Sequence, residues 1–357
     1  MPNHIQHIDD IPAMGLDGAH RTIDLFRKIA LKEIPVYQKW DGAPAVIIGY
    51  DNDEFFVATK SYHGKSPQLF KTPNHIKESS LDEPLKEKLL WVFHILYGVK
   101  LDAHYQGDLL FTRDSLFTQR GLTCFQPNTL VYGMNQEILD SATLGIAWHT
   151  NLTEGKPISH LDLPGCWSPN VEVNLTDAKD SGDRFAENMT ELLSKIEPSW
   201  YSRLEEHPRF FTTFQRYKNH TIRNREKVSL SGYMTHIDEW YAIQIASKKT
   251  EKARERWQKE FNDLYRLMGD TPNSYSFFLF LNKVTGVKNL LINILNRYSS
   301  ERIMVHSIEN DMYIETGHEG YVVHEGGDAT KLVEREKFSF YNFSPIISKG
   351  WNSQSRT

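Results

Sequence analysis

Lys39 stands in QKWDGAPA, directly ahead of an Asp-Gly pair (Asp41, Gly42) and of an apolar run, AVIIG, that has to be buried. A lysine at the lip of a core is either an ordinary surface cation beside a turn or a covalent nucleophile, kept dry yet reachable. Three distant stretches bear on that choice. QGDLL (106–110) places Asp108 after a glycine at the start of an apolar strand. EGYVV (319–323) places Glu319 ahead of another strand, and TKLV (330–333) carries Lys331 into a third. Charged side chains entering apolar strands cost desolvation energy, so a chain without a use for them has little reason to repeat the arrangement.

In chain order, KWDG, GDLL, EGYVV and TKLV resemble motifs I, III, IV and V of the covalent nucleotidyltransferases: ATP-dependent DNA ligases, RNA ligases and mRNA capping enzymes. The long form KWDGAPA, preceded by Gly15, Gly18 and Ala19, looks most like phage-encoded members of that group. The resemblance covers roughly residues 15–135 and 300–345 and rests on four short motifs in the right order. It implies an α+β fold: a ligase-like, ATP-grasp-like antiparallel sheet core carrying a large, mostly helical insertion or second domain. It also implies a reaction. The lysine attacks the α-phosphate of ATP, releases pyrophosphate and keeps AMP as a phosphoramidate, which then passes to the 5′-phosphate of a nucleic acid end.

Carried over residue by residue, Lys39 is the nucleophile, expected to be partly neutral because Lys331 faces it, and Asp41 and Gly42 complete motif I. Asp108 and Glu319 are the carboxylates for Mg²⁺ or Mn²⁺, and Lys331 neutralises charge building on the α-phosphate. Tyr132 falls where the family keeps an aromatic that stacks on adenine, and Lys60 matches a basic residue after the first hairpin. The departures are Pro44, where many DNA ligases have arginine, the shorter Asp108 in place of glutamate, and Val333 in place of a second lysine. Strand alternation puts Arg335 on the same face as Lys331 and Val333 and makes it the expected substitute. The first step also suits other acceptors, an RNA 5′ end as a cap or a protein. The losses at Pro44 and Val333 also suit a non-catalytic binding or virion-associated protein on a decayed ligase fold. About twenty residues follow TKLV, too few for the OB-fold domain of DNA ligases, which favours RNA over DNA ends.

The composition is that of an ordinary soluble protein: 357 residues, 24% charged, 39% apolar, net charge −5. That balance excludes a protein coated in positive charge but leaves room for a local basic groove. Cys124 and Cys166 form neither a disulfide framework nor a CxxC metal pair, and no signal peptide pattern opens the chain, so a cytoplasmic setting is expected. No apolar stretch reads as a membrane span, and no membrane partner is expected.

The elements that must position these residues follow from periodicity. GAHRTIDLFRKIAL (18–31) reads as an amphipathic helix, and AVIIGY and EFFVATK read as a hairpin turning at Asp51-Asn52-Asp53. Residues 81–98 form a helix, with Pro84 in its first turn and Gly98 at its stop. Strands are expected at 107–112 and 129–134, loops with short strands from about 140 to 182, and helices from about 183 to 300. The last third returns to strands, with Gly326-Gly327-Asp328 as the final turn. Residues 1–140 and 300–350 thus form the nucleotidyltransferase core, and 141–299 the insertion.

Within that insertion, RFFTTFQRYKNHTIRNREK (209–227) interleaves basic residues with Phe210, Phe211, Phe214 and Tyr217. Arg216, Lys218, Arg223 and Arg225 are therefore the candidate nucleic-acid contacts, with the aromatics stacking on unpaired bases. The alternative is a solvated helix whose aromatics belong to the core. The 15 histidines show no ligand pattern with supporting carboxylates, and His63 is the one expected near the pocket.

Overall fold

The computed structural model describes residues 5–139, 141–169, 171–173, 179–299 and 303–350. Strand β1 (Gln6–His7) and helix α1 (Leu16–Ala30) lead into β2 (Val36–Lys39), which ends on the candidate nucleophile. The hairpin β3 (Ala45–Asp51) and β4 (Glu54–Ala58) follows, then α2 (Pro73–Lys77), α3 (Glu83–Leu96) and β5 (Tyr105–Thr112). Next come β6 (Phe117–Gln119), β7 (Leu122–Phe125), β8 (Leu130–Met134), the short α4 (Gln136–Leu139) and β9 (Leu144–Asn151). Two-residue strands β10 (Lys156–Pro157) and β11 (Cys166–Trp167) precede a run of helices. These are α5 (Lys179–Leu193), α6 (Pro198–Glu206), α7 (Phe210–Asn224), α8 (Leu230–Ala246), α9 (Glu251–Met268) and α10 (Thr271–Ser299). The chain returns as β12 (Met304–Glu309), β13 (Met312–Glu315), β14 (Gly320–Glu325) and β15 (Asp328–Val333), then α11 (Arg335–Phe343).

The architecture is mixed α+β, as expected. Asn52 and Asp53 both adopt positive φ, the backbone that matches strand twist in a two-residue hairpin, and Gly326 and Gly327 do the same between β14 and β15. Asn310 and Asp311 turn β12 into β13 in the same way, with residue types that suit such a turn. Helix α3 starts as its sequence requires: the Asp82 carboxylate accepts a hydrogen bond from the Leu85 amide at 2.8 Å, and Pro84 sits in the first turn.

Three sheets form where the sequence pattern suggested one. The first has order β1-β15-β14-β2, with β1 parallel to β15 and the other pairs antiparallel. The second runs β10-β9-β5-β3-β4, with β11 beside β9, and the third runs β13-β12-β8-β7-β6. One face of the first sheet (Val36, Tyr321, Val323, Leu332) joins the apolar core of α1 and the helices between α5 and α10. The second sheet buries Val46, Ile48, Leu109 and Ile146 against α3. The helical stretch therefore shares its core with the first sheet, and α1, expected to belong with the sheet unit, packs on α5. The expected boundaries at 140 and 300 fall on residues outside the described set.

Helix α10 corrects the reading that no stretch is span-like. Its 29 residues are long and apolar enough to cross a membrane by length and composition. Half of its most apolar window is buried, with Phe277, Phe280, Val284, Leu291 and Leu295 inside the helical core.

Candidate active site

The second face of the first sheet and one face of the second enclose a cavity. Lys39 lies opposite Gly320, and Lys331 lies opposite Val322, which is itself opposite Tyr37. Residues opposed across strands share a face, so Tyr37, Lys39, Val322 and Lys331 all look away from the helical core. From the second sheet, Asp108 lies between Ala45 and Ala147 and looks back at them. The cavity between is about 120 Å³ and is lined by Lys39, Lys331, Asp108, Tyr37, His149 and His324, among others.

The KWDG segment is shaped by two close approaches. The Asp41 carboxylate accepts from the Thr129 amide (2.8 Å) and hydroxyl (2.6 Å), the Leu130 amide (3.2 Å) and the Asn128 side chain (2.9 Å). All its acceptor capacity is thus turned to the start of β8, so Asp41 anchors the segment rather than entering the cavity. At Gly42 a Cβ would stand 2.7 Å from the Asp108 Cβ and 3.1 Å from its carbonyl oxygen, so only glycine lets this segment lie against β5. Gly320 has φ of +158°, and a Cβ there would collide with the Leu332 carbonyl. Both glycines bring a charged neighbour, Asp108 or Glu319, to the cavity edge.

Lys39 Nζ donates to Glu319 Oε2, and both side chains are largely buried. Burial works against the Lys39 ammonium. The Glu319 carboxylate beside it, with Asp108 and Asp41 further away, outweighs burial and holds Lys39 above the ordinary lysine value. Burial also pushes the Glu319 carboxyl up, against the pull of Lys39. The expectation of a partly neutral Lys39 is thus corrected for this arrangement: the nucleophile candidate is a charged, paired ammonium. Lys331 is the depressed one. Burial first, then the charge of Lys39, lowers its pKa, with Glu319 and Asp108 opposing.

His149 was missed by sequence reasoning. It is the extra residue where the β5–β9 register shifts between Gln106 and Gly107, and such a bulge re-aims a side chain that alternation cannot place. Its Nε2 lies 3.7 Å from Asp108 Oδ2, and burial lowers its pKa against that carboxylate, helped by Lys39, Lys331 and Lys60. His324 was missed as well, although strand alternation from Val322 was the signal that could have found it. His63 was expected at the pocket but is exposed, with Nε2 2.8 Å from Gln106 Oε1. Lys60 is exposed at the rim, close enough for its charge to act on Lys331.

Three other expectations fail. Tyr132 is fully buried, packs 4.8 Å from Trp40, and its hydroxyl accepts from the Asp41 amide at 2.8 Å, so it presents no face to a base. Arg335 does not continue the strand: β15 ends at Val333 and Arg335 opens α11. Its guanidinium lies 2.7 Å from Asp10 Oδ1 and 3.7 Å from Asp9 Oδ1. Lys218 belongs to the same network, not to a surface: it is 4% exposed, with Nζ 2.7 Å from Asp10 Oδ1 and 3.3 Å from Asp9 Oδ2. Lys288 closes the network at 3.1 Å from Asp9 Oδ2. Phe210, Phe214 and Tyr217 lie in the helical core, so they stack on no strand, while Arg216, Arg223 and Arg225 are exposed on and just beyond α7.

The match to a known family extends over residues 2–346, and the model it matches is described as a family of unknown function, DUF6267. The chain belongs to that family. No curated protein matches it, and no solved structure does.

Among the described residues no group of three or more His, Cys, Asp and Glu side chains is placed to hold a metal ion. Mg²⁺ in phosphoryl chemistry is commonly held by one or two carboxylates plus substrate oxygens, and the pair Asp108 and Glu319 fits that donor set.

Proposed function

We propose that this chain is a covalent nucleotidyltransferase with ATP as nucleotide and the 5′-phosphate of a nucleic acid end, RNA before DNA, as acceptor. One observation carries the reading. Lys39, Asp108 and Lys331, chosen from three separate stretches of sequence, line a single cavity between two sheets, and Glu319, from a fourth, pairs with Lys39 at its edge. The ligase-like, ATP-grasp-like form of the α+β fold is part of the same proposal.

The chemistry follows from their contacts. The Lys39 proton leaves along its hydrogen bond to Glu319, the one side chain that accepts from it among the described residues. The freed amine attacks the α-phosphorus of ATP, the bond to the β-phosphate oxygen breaks, and pyrophosphate leaves. Lys331, half-buried and without an ion-pair partner among the described residues, meets the charge on the α-phosphate. Asp108 is the carboxylate that would hold Mg²⁺ during this step, with Glu319 able to join it only while ionised, before it takes the Lys39 proton; the metal would neutralise phosphate charge. AMP then passes to a 5′-phosphate oxygen, and the Lys39 amine is released.

A second reading is favoured by the cavity itself. Its volume of about 120 Å³ is below the ~300 Å³ at which pockets for whole nucleotide-sized ligands begin, and Tyr132 offers no stacking face. A phosphate-binding module without covalent chemistry needs no more room than this. The covalent reading requires the segment carrying Ile158, Ser159 and Pro169, which walls the cavity, to move aside.

Incubation with α-labelled ATP, GTP or NAD and Mg²⁺ or Mn²⁺, followed by denaturation, separates the two. Label that survives with ATP and disappears in Lys39→Ala is the expected result. No label with any nucleotide sinks the enzymatic reading and leaves the phosphate-binding one. Chasing labelled protein with 5′-phosphorylated single strands and nicked duplexes of RNA and DNA then identifies the acceptor.

A further inference from the structure

Of the aromatics expected beside the basic residues only Phe211 is exposed, and two aromatics from elsewhere lie against Arg223 and Arg225. Arg225 lies over the Phe340 ring at 4.2 Å, and Arg223 lies over the Phe343 ring at 5.6 Å. These rings come from α11, more than a hundred residues away in sequence. Phe343 is 69% exposed, an unusual position for a phenylalanine with no covering element. The four side chains line an open hollow of about 430 Å³. A second hollow, of about 510 Å³, lies on the far side of Glu336 and is lined by Lys227 and Lys337. Asp9, Glu334 and Glu336 are the carboxylates of the second hollow, and Glu336 that of the first.

We propose that the seam between the end of α7 and helix α11 is a binding platform for single-stranded nucleic acid. Phe343 and Phe340 stack on bases, and Arg223, Arg225, Lys227 and Lys337 bind phosphates. Three arguments select this occupant. Four cations at an open seam, on a chain of net charge −5, complement a polyanion locally while the rest of the surface repels it. The exposed Phe343 ring and the half-buried Phe340 ring add what free phosphate or a polyanionic peptide would not use: faces for unpaired bases, each flanked by a guanidinium. The platform is also held in advance. Arg335, the first residue of α11, reaches Asn219 of α7 at 3.0 Å and Asp10 at 2.7 Å, and Lys218 of α7 reaches the same Asp10. Both walls of the seam are thus fixed to one buried aspartate before any strand arrives. That this strand is the acceptor of AMP rests on the proposed function; that it binds here does not.

The test is fluorescence anisotropy on the full chain, using 3′-labelled ten-nucleotide RNA and DNA single strands and a duplex of the same sequence, at two salt concentrations. Wild type is expected to bind the single strands more tightly than the duplex. Phe343→Ala, at an exposed position, is expected to weaken single-strand binding about tenfold. The paired change Arg223→Ala with Arg225→Ala is expected to weaken it further. It should also make the salt dependence shallower, by about 0.7 in log–log slope for each phosphate no longer neutralised. Covalent labelling of Lys39 by ATP should be unchanged in all of these. Wild-type affinity and salt slope in both variants, or preference for the duplex, would overturn the platform. If Lys39 takes no label but the variants lose strand binding, the enzymatic reading fails and the platform stands.

Discussion

Two buried charge clusters lie back to back across the first sheet and the start of α11, and they are built on opposite principles. Around Asp9 and Asp10, three cations meet two carboxylates, and Lys218, Lys288 and Arg335 each reach at least one of them. Lys218 also donates to the Asp9 carbonyl at 2.5 Å. Around the cavity, Lys39 has one partner, Glu319, and Lys331 has none among the described residues. The first arrangement uses charge to fasten strands to helices. The second leaves a cation desolvated and incompletely paired, which costs stability and is worth keeping only where charge is to arrive from outside. Numbers of ions do not separate the two; completeness of pairing does.

That contrast can be broken most directly at Lys39. Lys39→Ala should abolish covalent labelling altogether, and Lys39→Arg should do the same although it keeps the ion pair, because a guanidinium does not yield a neutral nucleophile. Labelling of the arginine variant would show that Lys39 only holds charge. In the other cluster, Lys218→Met leaves Asp9 and Asp10 short of a buried partner and should cost about 3–5 kcal/mol in urea unfolding, with ATP labelling kept in the folded fraction. Lys331→Met is the crossed experiment. Labelling should fall by roughly 10²–10³-fold, while stability changes by less than about 1 kcal/mol because no pair is broken. A large stability loss there would place Lys331 with the fasteners.

A pH-dependent effect sharpens the boundary between the clusters. His7 is opposite Lys331 on β1, and burial, then Arg335, lower its pKa from 6.5 to about 3, with Asp9 and Asp10 opposing. Folded His7 is neutral where the unfolded residue takes a proton, so stability falls as pH drops from about 6.5 towards 3. The contribution is roughly 5 kcal/mol across that window, of which about 3 kcal/mol is lost by pH 4.5. His7→Gln should flatten this stretch of the pH–stability curve, read as urea midpoints at pH 7 and pH 4.5. An unchanged curve would mean that His7 is not the group that senses both clusters.

What the sequence revealed of the site depended on whether a residue's surroundings were local. Lys39, Asp108, Glu319 and Lys331 sit at turns or strand ends whose apolar neighbours announce them; three line the cavity and Glu319 pairs with Lys39. Alternation failed wherever the strand itself was irregular. It carried Arg335 past the end of β15, where Glu334 (φ −74°, ψ 77°) breaks the strand and α11 begins, and it gave no warning of the bulge that turns His149 inward. Tyr132 lies on a strand as expected, but β8 pairs in the third sheet, so the ring went to the core behind KWDG. Lys218 was misread for a different reason: a lysine in a basic helix looks solvated, and the aspartates that bury it are about 208 residues away. The α+β class and the helical stretch were legible because periodicity is local. The division into three sheets was not, because pairing partners are distant.

The short strand β1 gives this distance a tempo. Asp10 and Arg335, which it helps bring together, are 325 residues apart. At synthesis rates of about 5–20 residues per second, the opening segment waits roughly 16–65 s for its partners to emerge. Through most of that interval β1 has no sheet to join and Ile5 and His7 no cavity, while Asp9 meets first Lys218 and then Lys288. Both clusters therefore become complete only once β15 and the start of α11 have been made, and nearly together. On the proposed function, an adduct at Lys39 has to wait for Glu319 and Lys331, so label on ribosome-bound fragments that end before β14 would point to some other lysine.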